Sequence, residues 1–221
     1  MSFTFDLYWS MRSPYCYLSL DRIMALRAAY ELTVNVRIVY PVAVRNPDFF
    51  KPAPAHYRSY HLLDSQRVAD TQGIPYRRPQ PDPILQNMAT NEIAIDQPYI
   101  RRLTRLATAA VEQGRGLEFL DQVMRLLWDG QTENWDQEPH LADAIRRAGL
   151  DGQALDSDVT ARPGTFEGLI EANQAAQIQA GHSGVPLMVF ENEPFFGQDR
   201  LDLLLWRMKS RGLKERADVR R

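Results

Sequence analysis

The stretch Phe3-Thr4-Phe5-Asp6-Leu7-Tyr8-Trp9-Ser10-Met11-Arg12-Ser13-Pro14-Tyr15-Cys16-Tyr17-Leu18 decides how the rest of the chain is read. Its opening residues, Phe3 to Trp9, are aromatic and β-preferring and too few for a free-standing helix, so they read as a buried strand. After Ser10-Met11-Arg12, the pair Ser13-Pro14 is a helix start: serine accepts from an orphan N–H, and proline takes the first helical position, where no donor is needed. The helix is expected to run to about Ala29. Tyr17, Leu20, Met24 and Ala28 fall at three- and four-residue spacings, a face for packing on a sheet. Thr33 to Val39 is a second β-rich run, and strand, helix, strand predicts a right-handed parallel unit.

Working outward, Pro41 to Pro54 is broken by prolines around Arg45-Asn46-Pro47 and reads as a loop lying over a site, with little regular structure. Helices are expected at about Ala55–Gln72, Ile93–Gln113, Leu117–Trp128, Glu138–Ala148 and Thr165–Gly181, interrupted by the proline-rich stretch Pro75–Pro83. Leu187–Phe190 and Pro194–Phe196 flank the turn-prone Glu191-Asn192-Glu193 as a hairpin, and a strongly apolar helix follows over Asp199–Ser210. The order βαβ, helices, ββα predicts an α/β fold.

Composition narrows the function classes. The chain has 221 residues, of which 44% are hydrophobic and 24% charged, so it can bury a core without staples. A net charge of −2 leaves no basic field for nucleic acid. Cys16 is the only cysteine, which excludes an internal disulfide and a cysteine-rich zinc site. His56 and His61 are five apart, not the i, i+4 spacing of a helical metal pair, so no metal is expected. Asp6 and Arg12 interrupt the opening stretch, which lacks the basic and apolar regions of a signal peptide, and no apolar run reaches membrane-spanning length. The expectation is a cytoplasmic protein with no nucleic-acid or membrane partner.

Ser13-Pro14-Tyr15-Cys16-Tyr17-Leu18 resembles the Ser-Pro-aromatic-X-aromatic-Leu motif of the 2-hydroxychromene-2-carboxylate isomerase and kappa-class glutathione transferase family, within the DsbA-like thioredoxin superfamily. Gly184-Val185-Pro186 through Phe196-Gly197-Gln198-Asp199-Arg200-Leu201 is similar to that family's C-terminal signature. Tyr60-His61-Leu62-Leu63-Asp64 and Asn173-Gln174-Ala175-Ala176 are fainter echoes in the right order. The resemblance spans about Phe5 to Leu213. It implies a thioredoxin-like domain from residues 1–52 and 182–221, interrupted by a helical insertion domain over 53–181. It also implies glutathione as cofactor and a small aromatic acid or electrophile as substrate, isomerised or conjugated.

By that resemblance Ser13 is the catalytic residue, donating to the glutathione sulfur. Val185 pairs with the cysteinyl part of glutathione beside a cis Pro186. Asp199 and Arg200 at the start of the last helix take the γ-glutamyl end, and Asn46 reaches glutathione or the acidic substrate. Tyr15, Asn173, His182 and Trp128 are the substrate contacts, with Met11 beside them. Ser10 and Leu187 depart from the family's usual Asp and Thr, and Cys16 from its small hydroxyl residue.

Taken alone, each residue keeps a plainer reading. Ser13 and Asp199 are also ordinary N-caps, Pro186 a strand start, Asn46 a turn residue, Asn173 a helix-surface amide, His182 a loop histidine, and Tyr15 and Trp128 core aromatics. Cys16 reads as a packed, inert thiol or as the second cysteine of a degenerate redox motif. The pairs Arg77-Arg78, Arg101-Arg102 and Arg146-Arg147 read as solvated surface, one of which could attract a carboxylate. The apolar run from Leu201 to Trp206 suits a homodimer or a buried helix.

Overall fold

The computed structural model describes residues 3–49, 54–87, 90 and 92–217. Its elements are β1 (Phe3–Trp9), α1 (Pro14–Ala29), β2 (Leu32–Ile38), α2 (Val42–Arg45), α3 (Ala55–Gln72), α4 (Pro98–Glu112), α5 (Gly116–Trp128), α6 (His140–Arg147), α7 (Gly152–Ala161), α8 (Pro163–Gln179), β3 (Leu187–Phe190), β4 (Glu193–Phe196) and α9 (Leu201–Ser210). The strands form one mixed sheet in the order β2-β1-β3-β4. This is the expected α/β, thioredoxin-like arrangement. The junction expected between residues 52 and 53 and the basic tail at Arg220-Arg221 lie outside the described residues.

β1 and β2 run parallel, with Trp9 opposite Ile38. β1 and β3 are antiparallel, Tyr8 facing Leu187, and β3 pairs antiparallel with β4, Leu187 facing Phe196. The hairpin turns on Glu191 and Asn192, whose φ values of 51° and 66° are the left-handed pair a two-residue turn uses to match strand twist. α1 begins as the cap chemistry predicts: Ser13 has extended backbone, its Oγ accepts from the Cys16 N–H at 3.2 Å, and Pro14 sits at the first position.

The buried face of α1 is Cys16, Leu20 and Ile23, joined by Tyr17 and Leu18, while Ala28 is exposed and Met24 only partly covered. The expected stripe therefore holds for its first two turns and then rotates, because the N-terminal half is covered by the sheet on one side and by α3 and α5 on another.

The helices between β2 and β3 do not form a core of their own. Leu7, Trp9 and Ile38 of the sheet belong to the same buried cluster as Phe119, Trp128, Ile145 and Phe166 of the helices. Three boundaries differ from expectation. α4 starts at Pro98, not Ile93, because Gln97, buried, donates to the carbonyls of Leu85 and Ala94 and accepts from the Leu85 N–H. That clasp, with a bridge from Gln86 to Ile93, holds the preceding residues extended. α7 is an additional helix, capped by Asp151 on the N–H groups of Gln153 and Ala154. α2 is a single helical turn inside the expected loop.

The arginine pairs are not simply solvated. Arg102 forms a two-pronged pair with Asp156, Arg101 lies over the Tyr40 ring, and Arg77 and Arg78 reach Glu133 and Asp82. In α9, Leu201, Leu204 and Met208 face the core, while Leu203 and Trp206 are exposed. Among the described residues no helix is long and apolar enough to cross a membrane.

Because one core serves both parts, Phe119→Ala should lower the stability of the whole molecule by about 3–5 kcal/mol. Circular dichroism and intrinsic fluorescence should still report a single coincident denaturant transition. Two separated transitions would contradict a shared core.

Candidate functional site

Strand directions gather the candidates at one end of the sheet. β1 and β2 both finish there, at Trp9 and Ile38; β3 starts there at Leu187, and β4 ends there at Phe196. The β1–α1 connection with Ser13, the segment after β2 with Asn46, the Gly184-Val185-Pro186 approach to β3 and the Gly197-Gln198-Asp199 turn all leave that edge.

Ser13 is partly covered and caps α1, whose N-terminal N–H groups and dipole favour an anion. Cys16 lies beneath it, fully buried. Burial pushes its thiol up to about 12, although the Ser10 backbone and the Ser13 side chain pull the other way. A neutral, inaccessible thiol is a poor nucleophile, so the packed, inert reading of Cys16 is the one that survives.

The Val185–Pro186 peptide is cis. The Pro186 carbonyl accepts from the Gly197 N–H at 3.0 Å, which ties the approach to β3 to the turn that opens the last helix. Among the described residues, the Val185 N–H and C=O have no hydrogen-bond partner. A short 3-10 turn, Gln198–Arg200, precedes α9. Asp199 is not an N-cap there: its exposed carboxylate pairs with Arg200 at 2.6 Å.

His182 stacks on Phe196 with ring centroids 3.7 Å apart, and its Nδ1 accepts from the Gly184 N–H at 2.8 Å. Burial lowers its pKa, so the neutral ring carries its proton on Nε2. Gly184 is required beneath this pair, since a Cβ would collide with the Phe196 ring and come within 2.8 Å of the His182 ring.

Two supporting residues escaped the sequence reading. Gln177 of α8, fully buried, donates to the Gly184 carbonyl at 2.8 Å and accepts from Arg45 at 3.1 Å. Arg45 also donates to the Ser183 carbonyl at 2.8 Å, while its Nε is buried with no partner among the described residues. No local signal announces either residue; a glutamine on a helix and an arginine before Asn-Pro look like surface.

Several candidates stand elsewhere than expected. Asn173 donates to the Ile38 carbonyl at 3.1 Å, so its amide serves the end of β2. Asn46 is exposed and ends α2. Trp128 is fully buried, parallel to Tyr17 and Tyr76, with its indole N–H on the Met11 carbonyl at 3.1 Å. It is core, not a pocket wall, because an aromatic on the inner face of α5 is enclosed by α1 and the Tyr76 segment; Met11, also fully buried, is likewise no wall. Tyr15 is partly exposed, donates to Asp64 at 2.5 Å and meets the His61 ring edge-on at 5.2 Å.

A family model described as a DSBA-like thioredoxin domain matches residues 4–209. Among solved structures, the chain is similar to a 2-hydroxychromene-2-carboxylate isomerase, with 21% identity, TM-score 0.71, and 94% of this chain and 95% of that one covered. It is also similar to a probable DsbA oxidoreductase from Streptomyces coelicolor, with 17% identity, TM-score 0.62, and 94% and 89% covered. A third is the cytosolic disulfide reductase DsbM from Pseudomonas aeruginosa with GSH, at 16% identity, TM-score 0.54, and 93% and 99% covered. No curated protein matches.

The buried thiol gives a direct check. Cys16 should resist Ellman's reagent at mildly alkaline pH while the protein is folded and react fully once it is unfolded. Rapid modification of the native protein would show an accessible thiolate and restore a redox role.

Proposed function

Because the chain belongs to the DSBA-like thioredoxin domain family, we propose that it binds glutathione at the Ser13 end of its sheet and acts as a glutathione-dependent isomerase of the 2-hydroxychromene-2-carboxylate isomerase type on a small aromatic acid. One observation carries this reading: a hydroxyl, not a thiol, caps the first helix at the position where the fold family's redox members keep their attacking cysteine, and the chain's own thiol is sealed beneath it. A site built to stabilise sulfur without owning a reactive one fits a borrowed thiol.

The residues at the site suit the tripeptide. The unpartnered Val185 N–H and C=O fit an extended cysteinyl unit as an added strand. Asp199 and Arg200 offer charges of both signs for the γ-glutamyl ammonium and carboxylate, in exchange for their present pairing. Asn46 lies near the residue, Arg45, that holds the Val185 approach, and suits the far end of the tripeptide.

Glutathione when bound supplies a sulfur nucleophile toward conjugated acceptors that an isomerisation returns unchanged. The chain's part is to keep that sulfur ionised and to exclude competing chemistry. Ser13 donates its hydroxyl hydrogen to the anion, and the α1 terminus adds its dipole. A charge-assisted hydrogen bond contributes about 1.5–3 kcal/mol and a favourably placed helix end up to ~2 kcal/mol. Even a partial sum of ~2–3 kcal/mol lowers a thiol from about 8.5 by roughly two units, enough for ionisation at neutral pH. His182, neutral with its proton on Nε2, offers a hydrogen-bond donor beside Gly184.

Ser13→Ala should fold, lose about 1 kcal/mol of cap energy, and lose roughly 10- to 100-fold in kcat/KM, the loss expected when a charge-assisted bond disappears. The ultraviolet absorbance of the bound thiolate should move to higher pH in that variant. Wild-type ionisation in Ser13→Ala, or no calorimetric binding of glutathione, overturns the reading. Free glutathione that falls as product forms would assign a kappa-type conjugating transferase instead.

A further inference from the structure

Arg12, the residue before Ser13, points its guanidinium at Asp82, donating through Nε to Oδ1 at 3.1 Å and through Nη2 to Oδ2 at 3.0 Å. Arg78 donates to the same Oδ2 through Nη2, also at 3.0 Å, and the Ile84 N–H takes Oδ1 at 3.0 Å. Both carboxylate oxygens are thus used twice. Two guanidiniums on one acid leave a positive charge uncompensated within the triad. Among the described residues, the Nε and Nη1 of Arg78 have no hydrogen-bond partner.

Two guanidiniums on one carboxylate repel each other, and a second anion between them would relieve that repulsion. Here a third arginine, Arg58, lies within electrostatic reach of Arg12, Arg78 and Asp82. The triad is not sealed off: the side chains of Arg12, Asp82 and Arg78 are 21%, 28% and 28% exposed. His61 lies within electrostatic reach of Arg78, Arg12 and Asp64, and its ring meets that of Tyr15 edge-on. A guanidinium fork beside flat rings suits a planar carboxylate, because the fork binds two oxygens at once and the ring faces accept the aromatic body.

We propose that Arg12 and Arg78 form the receptor for the substrate's carboxylate, that Asp82 competes with that carboxylate and so weakens its binding, and that Tyr15 and His61 cover the attached ring. The assignment of this cluster to substrate rests on the reading of Ser13 as the reacting end of the site. Arg12 and Arg78 are thus specificity-determining residues, and the arginine pair at positions 77 and 78 divides its work, Arg77 going to Glu133 on the surface.

The test uses the intact chain with trans-cinnamate and cinnamamide as probes, titrated by intrinsic fluorescence and by chemical shifts of the tyrosine and histidine rings. Cinnamate should bind about tenfold or more tightly than the amide, as expected for a charge-assisted pair, and the difference should shrink with added salt. Arg78→Gln should remove the preference for the acid. Asp82→Asn, which keeps an acceptor for Ile84, should strengthen cinnamate binding several-fold, a gain that damage to the fold would not produce. Equal binding of acid and amide, an unchanged preference in Arg78→Gln, or weaker binding in Asp82→Asn overturns the proposal. Glutathione calorimetry on the same proteins keeps the two questions apart: absence of glutathione binding with arginine-dependent cinnamate binding intact removes the glutathione reading and leaves the carboxylate receptor standing.

Discussion

The antiparallel pairing of Tyr8 with Leu187 is what the site depends on. Side chains more than a hundred residues apart in sequence become neighbours because the end of β1 lies against the first residue of β3. A shift of this register by one residue would turn every side chain of β3 to the opposite face and carry Val185 away from the edge where α1 begins. The apolar cluster shared by sheet and helices holds the register, since Leu7, Trp9, Met188 and Phe190 are all enclosed in it. The placement of Ser13 is therefore built on strand pairing and packing rather than on the loop that carries it.

How much of this was legible depends on the range of the interaction concerned. Ser13-Pro14 announced a helix start because capping is completed within three residues, and Glu191-Asn192 announced a tight turn for the same reason. The start of α4 was harder, because it is set by Gln97 reaching back to Leu85, a contact no local window contains. α7 was missed because it opens on Gly152 and carries Asp and Thr in its interior, so that only the Asp151 cap marks it. Trp128 and Arg102 were misread for a related reason. An aromatic on an amphipathic helix looks the same whether it lines a pocket or a core, and an arginine pair looks solvated until its partner across the chain is known.

Cys16 shows how one element serves two purposes. The hydrogen bond from its N–H fixes the Ser13 side chain, while its thiol fills space beneath the cap. The helix thus keeps a dipole and orphan N–H groups suited to an anion, while the one thiol the chain possesses is held neutral. Residues of the β1–α1 connection divide along the same line: Ser10 and Met11 face inward, Arg12 reaches out to Asp82, and Ser13 remains at the boundary.

Along α8, Asn173, Gln174 and Gln177 bond the backbone of Ile38, Tyr40 and Gly184 in turn. Carboxamides neither gain nor lose a proton in the physiological range. Those three bonds are therefore indifferent to acidity and nearly so to ionic strength, unlike the many surface ion pairs that surround them. Acidification would loosen the ion pairs at the periphery of this molecule well before it disturbed the carboxamide bonds of α8.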